Sequence, residues 1–315
     1  MIASLAFLFP GQGSQSLGML SDLASAHPAV RASFDEASAG CGLDLWSLSQ
    51  EGPEERLNQT EFTQPALLAA DVAAWRAWVA AGGAQPARFA GHSLGEFAAL
   101  VAAGALSLGD AARLVRERGR LMQEAVPAGS GGMAAVLGAE DDDVRAVCRQ
   151  SSTDASVVVP ANFNSPGQVV IGGHADAVDR ALAELAARGV RKTVRLAVSV
   201  PSHTPLMRDA ARRLGETMAL LDWRMPDRPV VQNADAASHA DLDAIRDALV
   251  RQLYLPVQWT NCVHALAGAG ATTLLECGPG KVLAGLAKRI DKSLSARAIG
   301  SPAEFDAALT ETRQE

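Results

Sequence analysis

Residues 88–97 read RFAGHSLGEF, with Ser93 between two glycines in the pattern Gly91-His92-Ser93-Leu94-Gly95. Arg88–Ala90 is a short apolar run, and the residues that follow, SLGEFAALVAAGAL, have helical composition. A strand, a tight turn and a helix in that order predict an α/β protein. They also predict a nucleophile elbow, in which small flanking residues let the backbone bend and lift the serine hydroxyl clear of the sheet. The N–H groups opening the helix would face any negative charge that forms beside the hydroxyl. The competing reading is a turn serine or helix N-cap, because a bare G-x-S-x-G also arises by chance.

The same alternation extends outward. Leu5–Phe9 reads as a buried strand followed by the loop PGQGSQS, and Pro65–Ala81 as a helix stopped by Gly82 and Gly83. Ser107 and Asp110 open a helix that Pro127 ends. The character then changes. GGMAAVLGA, SVVVPANFN, QVVIGG and RKTVRLAV read as strands, with helices over Glu140–Gln150 and Ala175–Arg188. That order, βαββαβ over residues 127–198, is the plan of a ferredoxin-like subdomain. After Pro201 the alternation resumes with RPVVQN, a helix over Asp241–Leu253, TTLLECG, a helix over GKVLAGLAKRI, and ARAIG. Residues 1–126 and 199–315 are therefore expected to form one α/β domain with a largely parallel sheet, and 127–198 an insertion into it.

Composition excludes several classes. A formal net charge of −7 argues against a general nucleic-acid binder. The opening MIASLAFLFPGQGS has no Lys or Arg before its apolar run and no A-x-A site, so it reads as a strand rather than a signal peptide. No apolar run of about 18 residues is present to span a membrane. Cys41, Cys148, Cys262 and Cys277 are scattered with no CxxC or zinc spacing, which suits reduced thiols in a cytoplasm.

A serine nucleophile needs a base. His92 is adjacent, but neighbouring side chains diverge in a sharp turn. His27 and His239 read as surface loop residues, His174 lies near a helix start in the insertion, and His264 lies within a helix. His203, in VSVPSHTPLM at a strand end where the chain re-enters the larger domain, leads over a structural role. No acid stands out as a third member, and a carbonyl could orient the imidazole instead. Arg118 is the odd residue: Ala111, Val115, Arg118 and Met122 share one helix face, so a guanidinium falls in an apolar stripe. It needs a partner there, either an internal salt bridge or a substrate carboxylate, and Gly119 beside it would permit close approach. The loops GQGSQSLG and ECGPGKV are not nucleotide motifs, since Ser16, Leu275 and Val282 break the required patterns.

With these pieces in place the chain resembles the malonyl-CoA:acyl carrier protein transacylases of bacterial fatty-acid synthesis. The resemblance runs through FPGQGSQ, GHSLGE, RGRLMQEAVP, NFNSPGQVVI, VSVPSH, RQLYLPVQW and ECGPGKVLAGL. It implies an α/β-hydrolase-like core with a ferredoxin-like subdomain. Ser93 would be the acylated nucleophile and His203 its base and acid. Gln12 and Leu94 would give backbone N–H groups to an oxyanion hole, and Gln252 the acceptor that orients His203. Arg118 would bind the malonyl carboxylate, with Met122 and Asn162 lining the cleft. The implied partners are malonyl-CoA and an acidic acyl carrier protein. Since this chain is also negative, docking would need a local basic patch, for which Lys281, Lys288 and Arg289 or Arg191 and Lys192 are candidates, against the competing reading of ordinary solvated charge. No nucleic acid, membrane, metal or organic cofactor is implied, and the expected location is the cytoplasm. The rival readings are a serine thioesterase, a malonyltransferase of polyketide or malonate-decarboxylase systems, and a non-catalytic interaction protein.

Overall fold

The computed structural model describes residues 1–127, 129–198 and 200–313. Residue 199, where the sequence places the return to the larger domain, lies outside the described residues. Among the described residues nine strands form two sheets. The first contains β1 (Ile2–Phe9), β2 (Pro86–Gly91), β7 (Val230–Val231), β8 (Thr273–Glu276) and β9 (Ser295–Ala298), in the order β7-β2-β1-β8-β9 and parallel throughout. The second contains β3 (Gly131–Leu137), β4 (Val158–Ser165), β5 (Gln168–His174) and β6 (Lys192–Arg195), antiparallel in the order β4-β5-β3-β6. With helices Asp141–Ser151 and Ala175–Ala187 between its strands, the second sheet has the βαββαβ arrangement.

β1 is buried from Leu5 to Phe9, as a central parallel strand covered on both faces must be. Its Phe7 ring meets Trp75 and Trp78 edge-on at 5.1 and 5.4 Å, and Trp75 meets Phe89 of β2 at 5.3 Å. These four rings tie the sheet to helix Thr60–Ala80. Edge-to-face pairs of this kind add about 0.5–1.5 kcal/mol each beyond area burial. The helix starts five residues before the predicted Pro65, which it carries inside. Proline this near the start forfeits only one carbonyl partner, and Thr63 Oγ1 bonds Leu57 O and Gln59 O across the opening turn. Residues 21–57 form four helices, Ser21–Ala26, Pro28–Cys41, Leu45–Glu51 and Glu54–Leu57. No helix among the described residues is long and apolar enough to cross a membrane.

Backbone bonds tie the second sheet to a loop of the larger unit. Phe163 N–H donates to Val257 O and Val257 N–H to Ala161 O, both at 2.9 Å, so β4 is anchored to the larger unit. The four cysteines are buried free thiols.

One core feature is costly. Asp71 is fully buried and neither carboxyl oxygen has a hydrogen-bond partner. Burial, reinforced by the charge of Glu276, raises its pKa well above the ordinary carboxylate range. Between the unfolded value of about 3.9 and that raised value, the unfolded chain binds fewer protons than the folded one. Stability therefore falls as pH rises through this window. Asp71→Asn removes the penalty, so its apparent Tm should lead the wild type by several degrees at pH 8, with the lead vanishing near about pH 4. Calorimetry across pH checks this, and a lead that does not change with pH contradicts it.

Candidate active site

β2 ends at Gly91, and helix Gly95–Ala102 begins four residues later. Between them Ser93 has φ +51°, in the left-handed region that non-glycine residues avoid. Both flanking glycines are sterically required. A Cβ on Gly91 would overlap the Gly95 carbonyl carbon, and one on Gly95 would overlap Phe9 O. Asn233, just past β7, holds the bend from both sides: its Oδ1 accepts Ser93 N–H (2.6 Å) and its Nδ2 donates to Gly91 O (2.7 Å).

His203 is also left-handed, at φ +62°, with its N–H bonded to Leu253 O. Its Nε2 lies 2.8 Å from Ser93 Oγ and its Nδ1 2.7 Å from Gln252 O. A carbonyl only accepts, so Nδ1 carries the proton and Nε2 is free to take that of Ser93. Burial, aided by the positive charge of Arg118, lowers the His203 pKa to about 3. His92 turns away from the serine; its Nε2 bonds Asn164 Oδ1 on β4 at 2.8 Å. His264 is exposed on its helix, and His174 precedes helix Ala175–Ala187 with its Nδ1 accepting from Val157 N–H rather than capping the helix.

Arg118 is 1% exposed. Nη1 donates to Gln64 Oε1 (2.8 Å), and Nη2 to Gln252 Oε1 (2.9 Å) and Ser93 Oγ (3.2 Å), while Nε has no partner. These acceptors are all uncharged, so among the described residues the internal salt bridge does not form. Burial lowers the Arg118 pKa to about 10, leaving it a cation at neutral pH. Gly119 serves helix packing rather than ligand approach, because a Cβ there would lie 2.6 Å from Thr60 O.

Gln252 joins these parts. Besides accepting from His203 and Arg118, its Nε2 donates to Ser93 O (2.9 Å) and to Glu96 Oε2 (3.0 Å). Glu96, 0% exposed, also accepts from Asn233 N–H (2.8 Å) and Gln232 Nε2 (3.1 Å). Burial raises its pKa to about 7 against the pull of those three donors and of Arg118.

Ser93, His203 and Arg118 face a cleft of about 310 Å³ whose lining also includes Gln12, Leu94, Met122 and Asn162, while Gln252 and Glu96 lie behind it. Among the described residues, the backbone N–H groups of Gln12 and Leu94 have no hydrogen-bond partner, whereas that of Ser93 is taken by Asn233. The Gln12 side chain bonds Thr60 Oγ1 at 3.2 Å. At the cleft, Gln168 accepts from exposed Arg289 at 2.9 Å.

The family model for the acyl transferase domain matches residues 6–301. The malonyl CoA-acyl carrier protein transacylase of Salmonella typhimurium is 54% identical over 98% of this chain and 100% of its own length. The chain belongs to the malonyl-CoA:acyl carrier protein transacylase family. A crystal structure of the family from Xanthomonas oryzae is 66% identical, covers 99% of both chains and superposes with a TM-score of 0.97. A malonyl-transacylase in complex with its type II polyketide acyl carrier protein is 50% identical over 98% of this chain and 99% of that one, with a TM-score of 0.96. The α/β core and the antiparallel subdomain accord with these family structures.

Sequence reasoning passed over Gln64, Glu96, Asn164 and Asn233. Glu96 had a signal: it is the one acid in the otherwise apolar helix GEFAALVA. The others are ordinary amides whose partners are distant in sequence.

The electrostatics give a direct expectation. NMR of the His203 ring should show a neutral imidazole from pH 9 to pH 5, because its midpoint lies near about 3. Arg118→Gln should move that midpoint upward, since one opposing positive charge is gone. A wild-type midpoint near the ordinary value of about 6.5 contradicts this.

Proposed function

We propose that this protein transfers malonyl from malonyl-CoA to the phosphopantetheine thiol of an acyl carrier protein, through an ester on Ser93. One observation carries the reading: a buried guanidinium with no anionic partner lies 3.2 Å from the nucleophilic Oγ. When Oγ bonds the thioester carbonyl carbon, the carboxyl carbon of a malonyl group lies about 2.5 Å further on, two C–C bonds away. Its oxygens then fall within reach of Arg118. An acetyl group leaves the cation unmatched, and a longer diacid overshoots it.

In the first half-reaction Ser93 Oγ attacks the carbonyl carbon while its proton passes to His203 Nε2. Nδ1–H stays on Gln252 O, which stabilises the imidazolium. The tetrahedral oxyanion is received by the unpartnered N–H groups of Gln12 and Leu94; losing one such donor costs about 3–4 kcal/mol. The C–S bond breaks, and His203 returns the proton to the departing coenzyme A sulfur. The carrier thiol then repeats these steps in reverse, so both half-reactions share one site and the kinetics are ping-pong. The seated carboxylate also offsets the Arg118 charge that suppresses His203, making the base stronger when the correct acyl group is bound.

Met122 and Asn162 shape the acyl pocket in this reading, and Arg289 with Lys288 and Lys281 meets the acidic carrier. Supply of fatty-acid synthesis is the favoured setting. A polyketide acceptor is the second reading, supported by the relative seen with its polyketide carrier.

Labelled malonyl-CoA should deposit one label per chain, and none on Ser93→Ala. Arg118→Gln should lower kcat/KM for malonyl-CoA by about 100-fold or more relative to acetyl-CoA. Label that is released as free malonate as fast without carrier protein as with it would establish a thioesterase instead.

A further inference from the structure

Arg118 lines the cleft and Glu96 lies behind it, and both side chains are sealed from solvent. They do not touch. The Gln252 carboxamide stands between them, its Oε1 on Arg118 at 2.9 Å and its Nε2 on Glu96 at 3.0 Å. Its orientation is therefore fixed by a cation on one side and a carboxylate on the other. Through Asn233 the same carboxylate reaches the elbow, because Asn233 gives its N–H to Glu96 and takes that of Ser93. The site thus holds one buried cation and, across a neutral amide that keeps them from pairing, one buried carboxyl group. On the proposed function a second anion, the acyl carboxylate, must enter this enclosure and seat on the guanidinium.

We propose that Glu96 is the exchangeable counter-charge of Arg118, ionised in the empty cleft and taking up a proton from solvent when the acyl carboxylate binds. This rests on the malonyl reading of the site. Two anions sharing one buried cation cannot both keep their charge cheaply, as with paired buried carboxylates. The carboxylate in direct contact with the guanidinium keeps it, and the one across the amide gives way. The surroundings can accept this change. Gln232 donates Nε2 to Glu96 while its own Oε1 is buried without a partner. Rotation of that amide presents the idle acceptor to a protonated Glu96, at the loss of the bond from Nε2 to Ile245 O.

The other ionisable groups around helix Gly95–Ala102 do not compete for this proton. Helix Leu108–Glu124 presents Arg118, which stays charged. His203 is held neutral, and burial also lowers the His92 pKa. The Cys262 thiol, on helix Trp259–Gly268, is kept protonated by burial and by the charge of Glu96 itself. On helix Thr60–Ala80, Asp71 is coupled to Glu276 instead. The remaining partners, Gln232, Asn233 and Gln252, are uncharged. Burial holds the Glu96 carboxyl at about 7, so the exchange falls in the physiological range.

Glu96 is a positioning residue, and its test must read the proton rather than activity alone. Ser93→Ala, which binds without turnover, is titrated calorimetrically with malonyl-CoA at pH 7 in two buffers of different ionisation enthalpy. The expected result is uptake of about half a proton beyond that measured with coenzyme A, which carries the same phosphates. Affinity for malonyl-CoA should fall about five- to tenfold from pH 6 to pH 8 relative to coenzyme A. Adding Glu96→Gln should abolish both effects. If that double variant does not fold, the comparison with coenzyme A still decides. Malonyl-CoA binding more tightly than acetyl-CoA but with no excess proton uptake overturns the role of Glu96 and leaves the malonyl reading intact. Malonyl-CoA binding no better than acetyl-CoA overturns both.

Discussion

A guanidinium cannot shed its charge, so burying Arg118 commits everything around it. Its three donated bonds go to neutral oxygens of Gln64, Ser93 and Gln252, and the Phe97 ring lies 5.6 Å from its centre. Those contacts orient the cation but do not neutralise it. An isolated buried ion costs several kcal/mol even after relaxation, and the apolar packing of Thr60–Ala80 and Leu108–Glu124 has to offset that. What the arrangement gains is a site already shaped for an anion. A ligand carboxylate finds the cation desolvated and pointed, and does not bear the reorganisation that a surface arginine would require.

The second constraint is strain. Ser93 and His203 both sit at positive φ, a conformation costing about 1–3 kcal/mol per residue. Each is pinned by bonds from another element: Ser93 by Asn233 and Gln252, His203 by Leu253 and Gln252. The parallel sheet makes this convergence possible, because β1, β2 and β7 all point their carboxyl ends the same way. The Gln12 loop follows β1, the elbow follows β2 and Asn233 follows β7. No two of these are neighbours in sequence, yet the strand order places them side by side.

This division explains what the chain reveals when read as letters. The elbow was legible because its demands are local: two glycines that cannot carry a Cβ, a strand before and a helix after. Arg118 was legible because helical periodicity exposes a charge in an apolar stripe. The alternation of strands and helices disclosed both sheets, although β7 is only two residues long. Of the helices of residues 21–57, Ser21–Ala26, Leu45–Glu51 and Glu54–Leu57 escaped because they are too short to repeat an apolar pattern, and Pro28–Cys41 because small residues such as Ser33 and Ala37 share its buried face. Gln64, Asn233 and Asn164 escaped because an amide looks the same in a loop as in a hydrogen-bond hub. Asp71 escaped because its burial is set by its neighbours, Glu276 and Gly278, about two hundred positions away. Gly119 was assigned to ligand approach because its true neighbour, Thr60, lies on another helix.

The antiparallel sheet supplies the other wall of the cleft, and strand alternation gives its two faces different tasks. On β3, Ala134 and Val136 pack against the subdomain helices while Met133 and Ala135 face the cleft. On β5, Val169 and Ile171 face the helices and Val170 the cleft. Both faces are apolar, so in sequence these strands read as continuous runs that hide which side meets the ligand. The apolar part of this wall, Met133, Ala135 and Val170, lowers the polarity beside Arg118 and His203 and so strengthens their charge interactions, while Asn162, Asn164 and Gln168 give the same wall polar points. A slip of one residue in the β3–β5 pairing would exchange the two faces. The bonds linking β4 to Val257 and Asn164 to His92 hold the correct face over the serine, so the register of the small sheet is part of the active site.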